Sequence, residues 1–110
     1  MAHFALAPGR TSIAVTHRTV EEIWYFLSGH GEMWRKQAGR EEVVSVAPGT
    51  CLTIPLGTHF QFRAHANTHG HTDGNTDGDA PLTAVAVTMP PWPGEGEAIV
   101  VPGPWEPVPA

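Results

Sequence analysis

Apolar and polar residues alternate along most of this chain in short runs. Turn-forming residues interrupt the runs about every 8 to 12 positions, the spacing of an all-β sandwich or barrel. The alternation predicts strands at Phe4–Leu6, Ser12–His17, Glu22–Leu27, Gly31–Lys36, Glu42–Val46, Cys51–Ile54, His59–Arg63 and Leu82–Thr88, with an edge strand over Ile99–Val101. Pro8-Gly9, Ser28-Gly29, Pro48-Gly49 and Pro55-Leu56-Gly57 separate them. Each break supplies a glycine for positive φ or a proline that cannot continue a central strand. Thr19–Leu27 alone invites a helical reading, and its β-branched and aromatic content favours strand.

The same period divides each strand into two faces. Around His59–Arg63, one phase is Phe60, Phe62 and Ala64, and the other is His59, Gln61 and Arg63. A half-buried strand turns its apolar phase inward. Phe60 is therefore expected inside and His59 outside.

With 110 residues, 41% of them hydrophobic, the chain is expected to fold as one domain, 1–110, around a modest core. The net charge of −5, with only 6 Lys and Arg, argues against a nucleic-acid partner. No apolar run reaches the length of a membrane span, and the N-terminus lacks the basic and apolar regions of a signal peptide. The single cysteine, Cys51, is read as a small buried hydrophobe in a strand and fits a reducing cytoplasm.

Two segments depart from the strand pattern. Residues 67–79 read N-T-H-G, H-T-D-G, N-T-D-G, D, a tandem four-residue unit without core-forming side chains. The expectation is an expanded mobile turn over about 65–80. Asp73, Asn75, Asp77, Gly78 and Asp79 imitate the first half of a calcium loop, but its closing position falls on Ala84 rather than a glutamate. His65, His69 and His71 are weak metal scavengers at most. From Pro90 the chain is rich in proline and carries Trp92 and Trp105. An extended strap over about 90–110, packing its tryptophans on the barrel or on a second subunit, is the expected form.

Two spacings carry a family resemblance. Gly9, Val15, His17, Glu22 and Gly29 match the pattern G-x5-H-x-H-x4-E-x6-G, with Val15 in place of the first histidine. Gly49, Pro55 and Gly57 match the scaffold of G-x5-P-x-G-x2-H-x3-N, with Phe60 and Ala64 in place of the closing histidine and asparagine. Over residues 9–64 the chain resembles a small single-domain cupin. The resemblance implies an all-β cupin-type double-stranded β-helix, that is, a jelly-roll barrel, with its first motif facing inward.

That facing would bring His17 and Glu22 together in an apolar pocket walled by Ile13, Val15, Trp24, Phe26, Phe60 and Phe62. The pair is the candidate catalytic couple, a general acid/base and its partner. Arg35 and Arg63 are candidates for binding an anionic ligand if they point inward. A family-type metal site takes three histidines and a glutamate. Here Val15 and Phe60 occupy two of those positions, so no cofactor is expected. The alternative is a divalent transition metal (Zn, Fe, Mn or Ni) held by His17, Glu22 and His59, should the strand register turn His59 inward. The functional expectation is a small-molecule-binding cupin acting as a non-redox enzyme of isomerase, epimerase, cyclase or lyase type. A metal-dependent dioxygenase or isomerase and a non-catalytic binding module are the alternatives. A homodimer is expected, with Ile23, Tyr25, Leu27 and the Trp-rich tail as contact area.

Overall fold

The structure is a computed structural model and describes residues 1–66 and 80–108. The repeat at 67–79, with its calcium-like spacing and the histidines 69 and 71, lies outside the described residues. The described residues form nine strands and no helix: β1 (Ala2–Leu6), β2 (Val15–His17), β3 (Glu21–Ser28), β4 (Gly31–Gln37), β5 (Arg40–Val46), β6 (Cys51–Ile54), β7 (His59–Ala64), β8 (Leu82–Met89) and β9 (Ala98–Val100). Among the described residues no helix is long and apolar enough to cross a membrane.

The strands pair antiparallel in two sheets. Sheet A has the order β1-β8-β3-β6 and sheet B the order β5-β4-β7-β2-β9. Partners far apart in sequence, such as β1 with β8 and β3 with β6, give the nested connections of a jelly roll. The sheets face each other across one core. β3 shows the cause most clearly: Glu22, Trp24 and Phe26 are buried, while Ile23, Tyr25 and Leu27 between them are exposed. Trp24 and Phe26 meet Met33, Phe60, Ile54, Leu82, Ala84 and Ala86 in the core, with Phe4 and Phe62 packed against it. Burying each large side chain contributes roughly 1.5–3 kcal/mol. The small residues of β8 leave room for the tryptophan and phenylalanine opposite.

The chain passes from sheet A to sheet B at Gly29. Its φ is +78°, and a Cβ there would run into the backbone of Pro81 and Leu82. A side chain at that corner would both strain the turn and push β8 away.

Residues beyond β9 continue along the edge of sheet B. Val101 N–H donates to Ala14 O at 2.9 Å, and Thr11 and Val108 exchange two backbone hydrogen bonds at 2.9 Å. Between these anchors the segment crosses the outer face of the sheet. There Gln61, fully buried, donates to Ser12 O and Trp105 O and accepts from Trp105 N–H.

Three sequence expectations are corrected here. β2 begins at Val15 rather than Ser12, and Ile13 is 52% exposed, so Ile13 does not wall the interior. The reason is local: residues 11–14 bond to the C-terminal segment and to the end of β7 instead of continuing the β2 ladder. Cys51 is exposed, because it lies opposite Tyr25 on the outward phase of β3 and β6. Arg63 lies on the outward phase of β7, paired with Glu32, so it does not point inward.

Candidate functional site

β2 and β3 deliver the two central groups. His17 ends β2, Glu22 is the second residue of β3, and a turn of three residues joins the strands. Both are buried, at 8% and 5% exposure. Nδ1 of His17 lies 3.3 Å from Oε1 of Glu22. The geometry at Nδ1 falls short of a hydrogen bond, so this nitrogen has no partner among the described residues. Glu22 Oε1 also accepts from the indole N–H of Trp24 at 3.2 Å, two residues along the same face.

Aromatic rings close around the imidazole. Phe60 stands edge-on to it with centroids 5.3 Å apart, and Trp92 does so at 5.2 Å. Trp24 contacts Phe60, Phe62 and Phe26, and stacks on Phe4 at 4.7 Å. Val15, two residues before His17 on the same face, is half-buried against this core.

A second buried carboxylate stands beside the couple. Glu97, 3% exposed, accepts from Thr19 N–H (2.6 Å), Val20 N–H (3.0 Å) and Thr19 Oγ1 (2.6 Å). Thr19 and Val20 belong to the turn between His17 and Glu22. Glu97 therefore fixes the turn that sets the spacing of the pair.

The two carboxylates are pushed in opposite directions. Burial raises Glu22 above the ordinary carboxylate value, and the Trp24 N–H and His17 only partly oppose it. Burial would raise Glu97 as well. Its hydrogen bonds from Thr19 and Val20, with a further contribution from the charge of His17, outweigh that and hold it below the ordinary value.

The sequence candidates separate in space. His17, Glu22, Val15, Trp24, Phe26, Phe60 and Phe62 converge on one interior. Arg35 shares the inward phase, paired with Phe60 across β4 and β7. Arg63 does not join them. It pairs with Glu32 through Nε and Nη2 and lies 4.0 Å from the Trp105 ring centroid, on the outer face. The polar phase of β7 explains this, since Arg63 alternates with the inward Phe62 and Ala64.

The residues present do not fit a resident transition metal, which needs three or four converging donors. Val15 and Phe60 offer none. His59 pairs with Thr16 and Lys36 on the opposite phase from Phe60, so the set His17, Glu22 and His59 does not converge. Among the described residues no group of three His, Cys, Asp or Glu side chains is placed to hold an ion. Glu97 is already engaged by the turn it anchors.

Glu97 was not foreseen, and Trp92 was expected only to pack on the barrel or on a second subunit, not beside His17. Both lie in the Pro- and Gly-rich tail, where a glutamate reads as solvated. The only signal was position: Glu97 immediately precedes the apolar run Ala98–Val101.

No family model and no curated protein matches the chain in sequence. Solved structures do match its fold. A dTDP sugar isomerase from Desulfovibrio desulfuricans superposes over 92% of this chain and 62% of its own, with a TM-score of 0.71 and 17% identity. A single-residue variant of the oxalate decarboxylase of B. subtilis does so over 90% of this chain and 23% of its own, with a TM-score of 0.72 and 16% identity. CapF, a capsular polysaccharide assembling protein from Staphylococcus aureus, matches over 90% and 27%, with a TM-score of 0.64 and 14% identity. The chain spans less than two thirds of each of these proteins. The fold is a cupin-type jelly roll.

Proposed function

We propose that this chain is a small-molecule-binding protein of the cupin type that works by non-redox proton transfer, as an isomerase, epimerase, cyclase or lyase does. His17 moves the proton and Glu22 orients it. The observation that supports this reading is the buried pair at 3.3 Å, with Nδ1 of His17 turned to the carboxylate. That orientation leaves Nε2 on the far side of the ring for a ligand. Glu22, raised by burial, is able to carry a proton, while Glu97 stays ionised nearby. Environments that drive neighbouring titratable groups apart mark acid and base roles. A ligand reaches the couple past Trp92, which is nearly half exposed and rests on the imidazole edge.

The matched structures carry the names of an isomerase and a decarboxylase, so the shared fold does not choose the reaction. A non-catalytic binding module is the second reading. The closure of the interior by Phe60, Trp24 and Trp92 favours it.

The test begins with a metabolite panel scored by thermal stabilisation, followed by product detection on each hit. His17→Ala and Glu22→Gln are each expected to lower turnover by about 10²-fold or more, the scale of a positioned acid or base. Unchanged turnover in both variants removes the catalytic role. Stabilisation without product leaves the binding module.

The reading includes two further expectations, a cytoplasmic setting and a homodimer. The outer face of sheet A presents Ile23, Tyr25, Leu27, Val87 and Met89, all more than a third exposed. A second copy offers the same mainly apolar surface, with Glu21 at its end beside Met89, and two such faces can bury each other with that carboxylate at the rim.

A further inference from the structure

A cavity of about 330 Å³ opens between the β4–β5 hairpin and the segment from β6 to the start of β7. Arg35, Gln37, Arg40 and Glu42 line it from sheet B, and Thr53 and Thr58 from the other side. Glu41 also borders it, with its carboxylate held by the indole N–H of Trp34 at 2.8 Å.

Arg35 spans the gap between the sheets. Its Nη1 donates to Thr53 O at 2.7 Å, and its Nη2 to Glu42 Oε1. The Nε–H, on the same edge of the guanidinium as Nη2, has no acceptor among the described residues. That edge is built to grip both oxygens of one carboxylate, and here it is half filled. Arg63 shows the edge fully used, with Nε and Nη2 both donating to Oε1 of Glu32. The hydroxyl of Thr58, from a residue only 2% exposed, is also without a partner. Three buried side-chain polar atoms lack a partner among the described residues, and two of them belong to the lining of this cavity. Native interiors seldom leave such atoms unpaired; ordered water or a bound guest serves them.

Glu42 is a weak occupant. Its side chain is 55% exposed, against 18% for Arg35. A pair with one partner so exposed contributes little to stability and is easily exchanged.

We infer that this cavity binds the carboxylate of a small organic acid, which takes the Nε–Nη2 edge of Arg35 from Glu42. Phe60 pairs with Arg35 on β4 and with Val15 on β2, and its ring stands against His17. Phe60 thus stands between Arg35 and His17, and the cavity opens on the β5 side of Arg35, away from the couple. The carboxylate site is separate from the His17–Glu22 pair.

The experiment is calorimetric titration of the whole chain with butyrate, lactate, pyruvate and benzoate, each beside its amide. The acids are expected to bind and the amides not. Arg35→Met weakens the acids roughly tenfold or more, as loss of a bidentate contact does. Glu42→Gln tightens them several-fold, because the internal competitor is gone. Should Arg35→Met fail to fold, Arg35→Lys keeps the charge without the planar edge and is expected to lose the same binding. Equal binding of acid and amide, full binding in the arginine variants, no tightening in Glu42→Gln, or no binding of any acid at millimolar concentration overturns the inference. Failure of the acid/base role appears in turnover of His17→Ala and not in these isotherms, so the two are separable.

Discussion

The outer faces of the two sheets come from the same alternation and end in different states. On sheet B the outward residues include Trp34 and Gln61, at 3% and 0% exposure. On sheet A they include Ile23, Tyr25, Leu27 and Val87, at 38–46%. The covered face thus holds a polar amide, and the bare one is apolar. The C-terminal segment makes the difference. Gly103 lies so close to Gln61 and Ala14 that a Cβ would collide with both, and the backbone at Trp105 completes the hydrogen bonds of Gln61. A sequence pattern says which side of a strand is outward, but not whether another piece of chain lies on it. The stretch just before β9 carries Trp92 to the His17 ring and Glu97 to the turn after it, so the C-terminal part of the chain both covers sheet B and completes the candidate site.

The largest effect is expected where the cover is pinned. Gln61→Ala strands Trp105 N–H and two carbonyls on a buried face, and each unsatisfied group costs about 1–3 kcal/mol. A loss of about 3 kcal/mol in urea unfolding is the expected result. Near-zero change means the segment is not held on sheet B. Glu97→Gln comes next. Glu97 is held below the ordinary carboxylate value, so its contribution is fully present above the unfolded value near 4.5 and lost as pH falls through its lowered folded value. The Tm of the variant is therefore expected to fall by several degrees at about pH 7, with the gap from the parent closing towards about pH 3. A gap that widens on acidification contradicts the assignment.

Strand positions were legible in the sequence almost throughout, because period two is a strong signal when one face is buried. β6 was read at Cys51–Ile54 and is found there, and β3 and β7 extend by a residue or two beyond their expected bounds. The inward phase of β7 was equally legible, from Phe60, Phe62 and Ala64. What stayed hidden depends on contacts between distant segments. Glu97 reaches Thr19 across 78 positions, and no local pattern announces a carboxylate accepting three hydrogen bonds from a turn. Arg35 and Arg63 looked alike as lone cations in strands. One spans the mouth between the sheets and the other stacks on Trp105, and only the phase of each strand relative to its neighbours separates them. Cys51 was misjudged for the same reason that the outer face of sheet A is exposed: no described residue covers its outward position.

The smallest effect on monomer stability is expected on that bare face, and it sharpens the comparison most. Tyr25 and Val87 are outward, 46% and 44% exposed, and neither belongs to the core cluster. Tyr25→Glu or Val87→Lys removes no buried contact within the chain, so unfolding of the isolated monomer should shift by no more than about 0.5 kcal/mol. If sheet A is covered by a second copy, each change sets two like charges against each other across the two-fold, and desolvating them opposes association. Light scattering at micromolar concentration is expected to give twice the chain mass for the parent and the single-chain mass for both variants. A parent that is already monomeric means that sheet A stays bare, and the contrast between the faces is then one of exposure alone. Variants that remain dimeric place the contact elsewhere, with the exposed Ile99 and Val100 of β9 as the next surface to alter.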